Sequence, residues 1–98
     1  MQKNVETPTI AEIEAAKEKS KKLRASGNKF YEKKEFEKAL NDYNSSILSA
    51  PIDESGTGRE VALGLANRSA LHFERGLHFQ ALDDIEAAFL FGYPNELR

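Results

Sequence analysis

Apolar and small residues recur along the chain at spacings of three and four, which is the stripe of an amphipathic helix. The first stripe runs through Ile10, Ile13, Ala16, Ser20, Leu23, Gly27, Phe30 and Tyr31. Thr9 and Glu12 have the spacing of a capping box at its start. A second stripe comprises Phe36, Ala39, Leu40, Tyr43, Ser46 and Ile47 and stops at Ala50-Pro51, since proline cannot continue a helix. After the loop DESGTG, a third takes in Ala62, Leu65, Ala66, Ser69, His72 and Phe73 and breaks at Arg75-Gly76. The fourth holds His78, Ala81, Leu82, Ile85, Ala88 and Phe89 and closes at Gly92, a residue suited to a helix C-terminus. No segment alternates with period two, so four helices and no strands are predicted. Ser26-Gly27-Asn28 would ordinarily mark a turn. Here both flanks keep helical phase, so the helix is expected to pass through Gly27.

Shifting the chain by 42 residues places Leu23 on Leu65, Gly27 on Ser69, Ala39 on Ala81, Leu40 on Leu82, Asp42 on Asp84 and Ser46 on Ala88. The two halves thus read as copies of one helical hairpin. Leu23, Gly27, Phe30, Ala39, Tyr43 and Pro51 have the spacing of small and large residues in a tetratricopeptide (TPR) repeat, whose period of about 34 is lengthened here by the loop around Gly56. The chain therefore resembles a TPR pair over about residues 20 to 94. The second copy departs where His72 replaces an aromatic and where Pro94 falls one residue late. In such a hairpin, Gly27 opposite Ala39 and Tyr43 lets two backbones approach, which must offset the ~1 kcal/mol that an interior glycine costs relative to alanine.

Composition narrows the function classes. The 98 residues contain no cysteine and carry a net charge of −2. Thiol nucleophiles and disulfide frameworks are excluded, and a cytoplasmic setting is expected, with the nucleus as an alternative. No apolar run approaches the ~20 residues of a membrane span, and MQKNVETPTI lacks the apolar centre of a signal peptide. The overall charge argues against nucleic acid as a partner. Charge is nonetheless uneven: nine basic residues stand against four acidic ones between Lys17 and Lys38, and no lysine follows Pro51. His72 and His78 straddle a helix break and read as core or boundary residues rather than metal ligands. Asp83, Asp84 and Glu86 read as a solvated helix exterior. SGTG lacks the Lys-Ser/Thr of a phosphate loop. Neither a catalytic group nor a cofactor site is expected.

Asn28 falls beside the packing face of the first helix, Arg24 lies one turn earlier, and Asn67 sits at nearly the same height on the neighbouring first helix. In the settings RASGN and ANRSA these three resemble the carboxylate clamp of TPR co-chaperones, which grip the acidic C-terminal tails of heat-shock chaperones. A guanidinium and two amide NH2 groups suit that task, because hydrogen bonds to ionised groups are the strong ones. The resemblance implies a peptide site at Arg24, Asn28 and Asn67, flanked by Lys21 and Tyr31. The family usually has lysine where Arg24 stands and completes the clamp with a lysine and an arginine from a third repeat, which is absent from these residues. ANRSALHFERG, Asp83-Asp84 and FGYPNELR also resemble the TPR region of SET- and MYND-domain lysine methyltransferases, without the zinc-binding cysteines or the catalytic domain of that family.

The expectation is an all-α protein of two TPR hairpins in a right-handed superhelical array with an N-terminal helical extension. Its parts are a flexible segment over 1–9, a TPR domain over 10–94 (repeats at about 20–53 and 59–94, loop 53–58) and the start of a further helix at 95–98. The function expected is docking of an acidic C-terminal peptide, as of a heat-shock chaperone, without catalysis. The alternative is the non-catalytic, partner-recruiting part of a methyltransferase. Self-association through the C-terminal helix edge is expected as well.

Overall fold

A computed structural model describes residues 7–53, 56, 58–94 and 96. The rest of the segments expected at 1–9, 53–58 and 95–98 lies outside the described residues. Four helices follow one another: α1 (Ile10–Glu32), α2 (Phe36–Ser49), α3 (Arg59–Glu74) and α4 (His78–Leu90). No strand occurs among the described residues.

Local contacts start α1 and shape the turns that follow α1 and α3. At the start of α1 the Thr9 hydroxyl accepts from the Glu12 amide at 3.1 Å, and the Glu12 carboxylate accepts from the Thr9 amide at 2.8 Å. Two otherwise unpaired amides are thereby satisfied. α1 continues unbroken through Ser26-Gly27-Asn28. It then turns through Lys34, whose φ of 62° is left-handed, and the Glu35 amide closes the turn on the Phe30 carbonyl at 2.9 Å. The same turn recurs 42 residues later with Gly76 at φ 79° and the Leu77 amide on the His72 carbonyl at 2.8 Å. Glycine removes a steric cost of about 1–2 kcal/mol that lysine bears there.

Paired contacts give the topology. Ser20 meets Ser46 and Gly27 meets Tyr43, so α1 and α2 are antiparallel. Ser69 meets Ala81 and Arg68 meets Asp84, so α3 and α4 form a second antiparallel hairpin. α3 packs beside α1 in parallel, Glu60 on Arg24 and Asn67 on Asn28.

The core is thin and made largely of small residues. Ala39, Tyr43 and Leu71 form one buried cluster, with Phe30, Tyr31, Phe36 and Leu40 packed against it. Val61, Leu65 and Ala88 form another, beside Ile47 and Phe91. Close approach of α1 to α2 depends on Gly27 and on Ser20 and Ser46. The two buried hydroxyls each donate to the other's backbone carbonyl at 2.8 Å, leaving no polar group unpaired at the crossing.

Candidate peptide groove

Lys21, Arg24, Asn28 and Tyr31 follow one another on α1 at spacings of three and four, so they share one face. α3 runs alongside that face and contributes Asn67, whose amide donates to Asn28 Oδ1 at 2.9 Å. The sequence-predicted residues are therefore brought together, and their bonding shows what each has left to offer.

Arg24 is engaged. Its Nη1 lies 2.7 Å from Oε1 of Glu60, and the two side chains are 15% and 6% exposed. Glu60 stands in the first turn of α3, where the helix dipole favours an anion. The guanidinium thus compensates a buried carboxylate of its own chain, and its charge at the groove is balanced.

Asn28 is the centre of a second tie. Besides the bond from Asn67, its Oδ1 accepts from the Tyr43 hydroxyl at 2.6 Å, which joins α1, α2 and α3 at a single oxygen. The Asn28 amide NH2 takes no part in those bonds, and the side chain is exposed. Lys21 is also exposed and makes a loose pair with Glu18 at 3.8 Å. The Tyr31 ring packs 6.0 Å from that of Phe36. Burial, and then the nearby charge of Glu74, push its hydroxyl above the usual tyrosine range. The face thus carries amide groups at Asn28 and Asn67, an ammonium at Lys21, and the Glu74 carboxylate near its Tyr31 end.

Glu60 was not singled out by the sequence reading. Its partner is 36 residues away, and only the register set by Asn28 on Asn67 brings the two face to face. The network around Arg68 is another such case. Arg68 clasps Asp84 with two bonds of 2.8 Å and donates to Asn44 Oδ1 at 3.0 Å. The Asp84 hydrogen bonds hold the guanidinium firmly in its charged form. Asp84 is therefore buried, contrary to the helix-exterior expectation, because it shares with Ala81 and Ala88 the face that α4 turns to α3. Asp83 and Glu86 are exposed as expected. Of the histidines, His72 is a boundary residue with Nε2 3.6 Å from Asp84, whereas His78 is exposed and stacks on Phe73 at 5.0 Å. No group of three or more His, Cys, Asp or Glu is placed to hold a metal among the described residues. None of their helices is long and apolar enough to cross a membrane.

Fold and groove together define an all-α helical hairpin array with a polar ledge between two parallel helices. The chain is similar to the protein-lysine N-methyltransferase SMYD4 of Danio rerio, with 29% identity over 86 residues. That match takes in 88% of this chain and 11% of the methyltransferase, so the chain spans about a tenth of that protein's length. No protein-family profile and no solved structure matches the chain.

Proposed function

We propose that this chain is a non-catalytic docking module, the partner-recruiting part of a lysine methyltransferase, and that the ledge between α1 and α3 receives an extended peptide. The observation that supports this reading is the pair of adjacent amides, Asn28 and Asn67, held at a fixed 2.9 Å with donor capacity left over. A primary amide offers the donor and acceptor that a peptide backbone requires, and both carriers are on helices, so little ordering is needed on binding.

A second reading, the acidic C-terminal tail of a partner such as a heat-shock chaperone, is favoured by the exposed Lys21 and the basic excess on α1. The Arg24 to Glu60 pair limits it, because the expected clamp cation is already balanced. Binding of a peptide ending in Glu-Glu-Val-Asp is expected at about 100 μM or poorer, roughly −5.5 kcal/mol, and should weaken as salt rises.

Titration by NMR with the free-acid peptide and its C-terminally amidated form tests both readings. Shifts around Asn28 and Asn67 with both peptides support backbone docking alone. Loss of those shifts on amidation or in Lys21→Ala supports tail recognition. Lys21 is the informative position, since it has no buried partner whose loss would disturb the fold. Shifts that avoid this face in every titration would overturn the groove as a binding site.

A further inference from the structure

The two hairpins differ in what covers them. α3 lies across the first: Glu60 meets Arg24, Gly64 sits on Ile47, Asn67 meets Asn28, and Leu71 joins Ala39 and Tyr43. The face so covered includes Gly27, Tyr31, Phe36, Ala39, Leu40 and Tyr43. Moved by the 42-residue repeat, these positions become Ser69, Phe73, His78, Ala81, Leu82 and Ile85, and those six line an open groove of about 500 Å³ on the α3–α4 hairpin. Tyr43 is fully buried, while Phe73 and Leu82 are 64% and 53% exposed. The second hairpin therefore presents the surface that the first buries under a helix.

Charge specifies the occupant. Arg59, Arg68 and Arg75 are each committed to an acid, namely Glu96, Asp84 and Glu37, and this half has no lysine. Glu74 borders the groove on α3, and Glu86 lies one turn after Leu82 on the outer edge of the groove on α4. Both are exposed and form no ion pair among the described residues. An apolar floor with acidic margins calls for an apolar stripe with basic flanks. A second copy of this chain is a poor fit. The α1 residues equivalent to Glu60, Gly64, Asn67 and Leu71 are Glu18, Lys22, Ala25 and Lys29, all exposed and without an apolar stripe to set against Phe73 and Leu82.

We infer that the α3–α4 face docks a basic amphipathic helix of a partner protein. Its stripe follows α3's own spacing of i, i+4, i+7 and i+11, with a small residue at the second position and a large aliphatic one at the fourth. The apolar floor is separate from the α1–α3 ledge, which it meets at Glu74, and the inference does not depend on that reading.

The test titrates the full chain, labelled for NMR, with a helical peptide of α3's length, 16 residues, carrying that stripe between lysines. Two controls accompany it: the same stripe between glutamates, and a lysine peptide of equal charge with its stripe scrambled. The basic striped peptide is expected to shift Ser69, Phe73, Leu82 and Ile85 and to bind about ten-fold more tightly than either control. Glu74→Lys with Glu86→Lys should reverse the preference between lysine and glutamate flanks. Leu82→Gln, at an exposed position, should weaken binding, and Lys19→Ala, exposed on α1, should not. Equal binding of the scrambled peptide, shifts confined to the α1–α3 ledge, or sedimentation showing that the chain dimerises through Phe73 and Leu82 would each overturn the proposal.

Discussion

Gly27→Ala is the sharpest probe of how α1 meets α2. A Cβ added at Gly27 would lie 2.7 Å from both Cδ1 and Cε1 of Tyr43 and 3.2 Å from Cβ of Asp42. Carbon atoms ordinarily rest about 3.5–4.0 Å apart, so ring and helix would have to part by about 1 Å. Tyr43 has little room to yield: it is fully buried, and its hydroxyl is anchored on Asn28 at 2.6 Å. Overpacking of this kind costs about 1–3 kcal/mol, and losing the Tyr43 to Asn28 bond adds about 1 kcal/mol. Better helix propensity returns about 1 kcal/mol. The net expectation is a loss of about 1–3 kcal/mol, read as a lower urea midpoint at unchanged slope. For a domain of this size the melting temperature should fall by roughly 4–8 °C per kcal/mol. Gly64→Ala is a milder comparison, because its Cβ would meet one side-chain atom of Ile47 at 2.8 Å and the next contacts lie at 3.7 and 3.8 Å. If Gly27→Ala is as stable as the parent or more so, the separation of α1 and α2 is not set by this glycine.

Two further outcomes follow from the polar ties. Arg24→Ala strands the Glu60 carboxylate, 6% exposed, and should cost about 3 kcal/mol in urea denaturation. Adding Glu60→Gln should recover a good part of that, and equal losses in the single and double variants would show that the pair's charge is immaterial. Burial, then the charges of Tyr31 and Glu32, push the Tyr43 hydroxyl up to about 12. The unfolded chain ionises near 10, so the unfolded state releases its proton first. The stabilisation is then complete below about pH 10 and is lost between about pH 10 and 12, on the order of 2–3 kcal/mol. Tyrosinate absorbance followed alongside unfolding checks this. All three tyrosines titrating together near 10 in the folded chain would refute it.

What the sequence disclosed and what it hid divide along physical lines. Helices are written in local periodicity and local caps, so Thr9-Glu12, Ala50-Pro51 and Gly92 marked their boundaries without reference to the rest of the chain. The passage of α1 through Gly27 was legible because both flanks kept phase. Asn28 and Asn67 were legible as neighbours because the repeat fixes their relative height. What the sequence hid were the pairings of charge across elements. Arg24 with Glu60, and Arg68 with Asp84 and Asn44, depend on rotation and register to within one helical turn, and a stripe of apolar letters does not resolve that. The consequence for the candidate site is direct: Asn28 and Asn67 meet, while Arg24's availability is decided by an acid on another helix.

Packing positions repeat between the hairpins, and polar ones do not. Asp42 and Asp84 are related by the same shift, yet Asp84 is clasped by Arg68, whose counterpart Ser26 is too short to reach. Accordingly Asp42 keeps a buried Oδ2 with no partner among the described residues, the sort of cost a fold bears where symmetry of packing outruns symmetry of chemistry. The diverged polar residues point one way. Arg24 to Glu60, Asn28 to Asn67, Asn44 to Arg68 and Glu37 to Arg75 all join the first hairpin to the second. Two hairpins with identical polar faces would carry such ties on both ends of the pair and would stack on further copies without limit. Here the outer face of α1 is charged, the ties are spent at the internal junction, and the apolar floor between Phe73 and Ile85 is left open. The array thus has a direction, with a charged outer face at α1 and an open apolar one at α3 and α4.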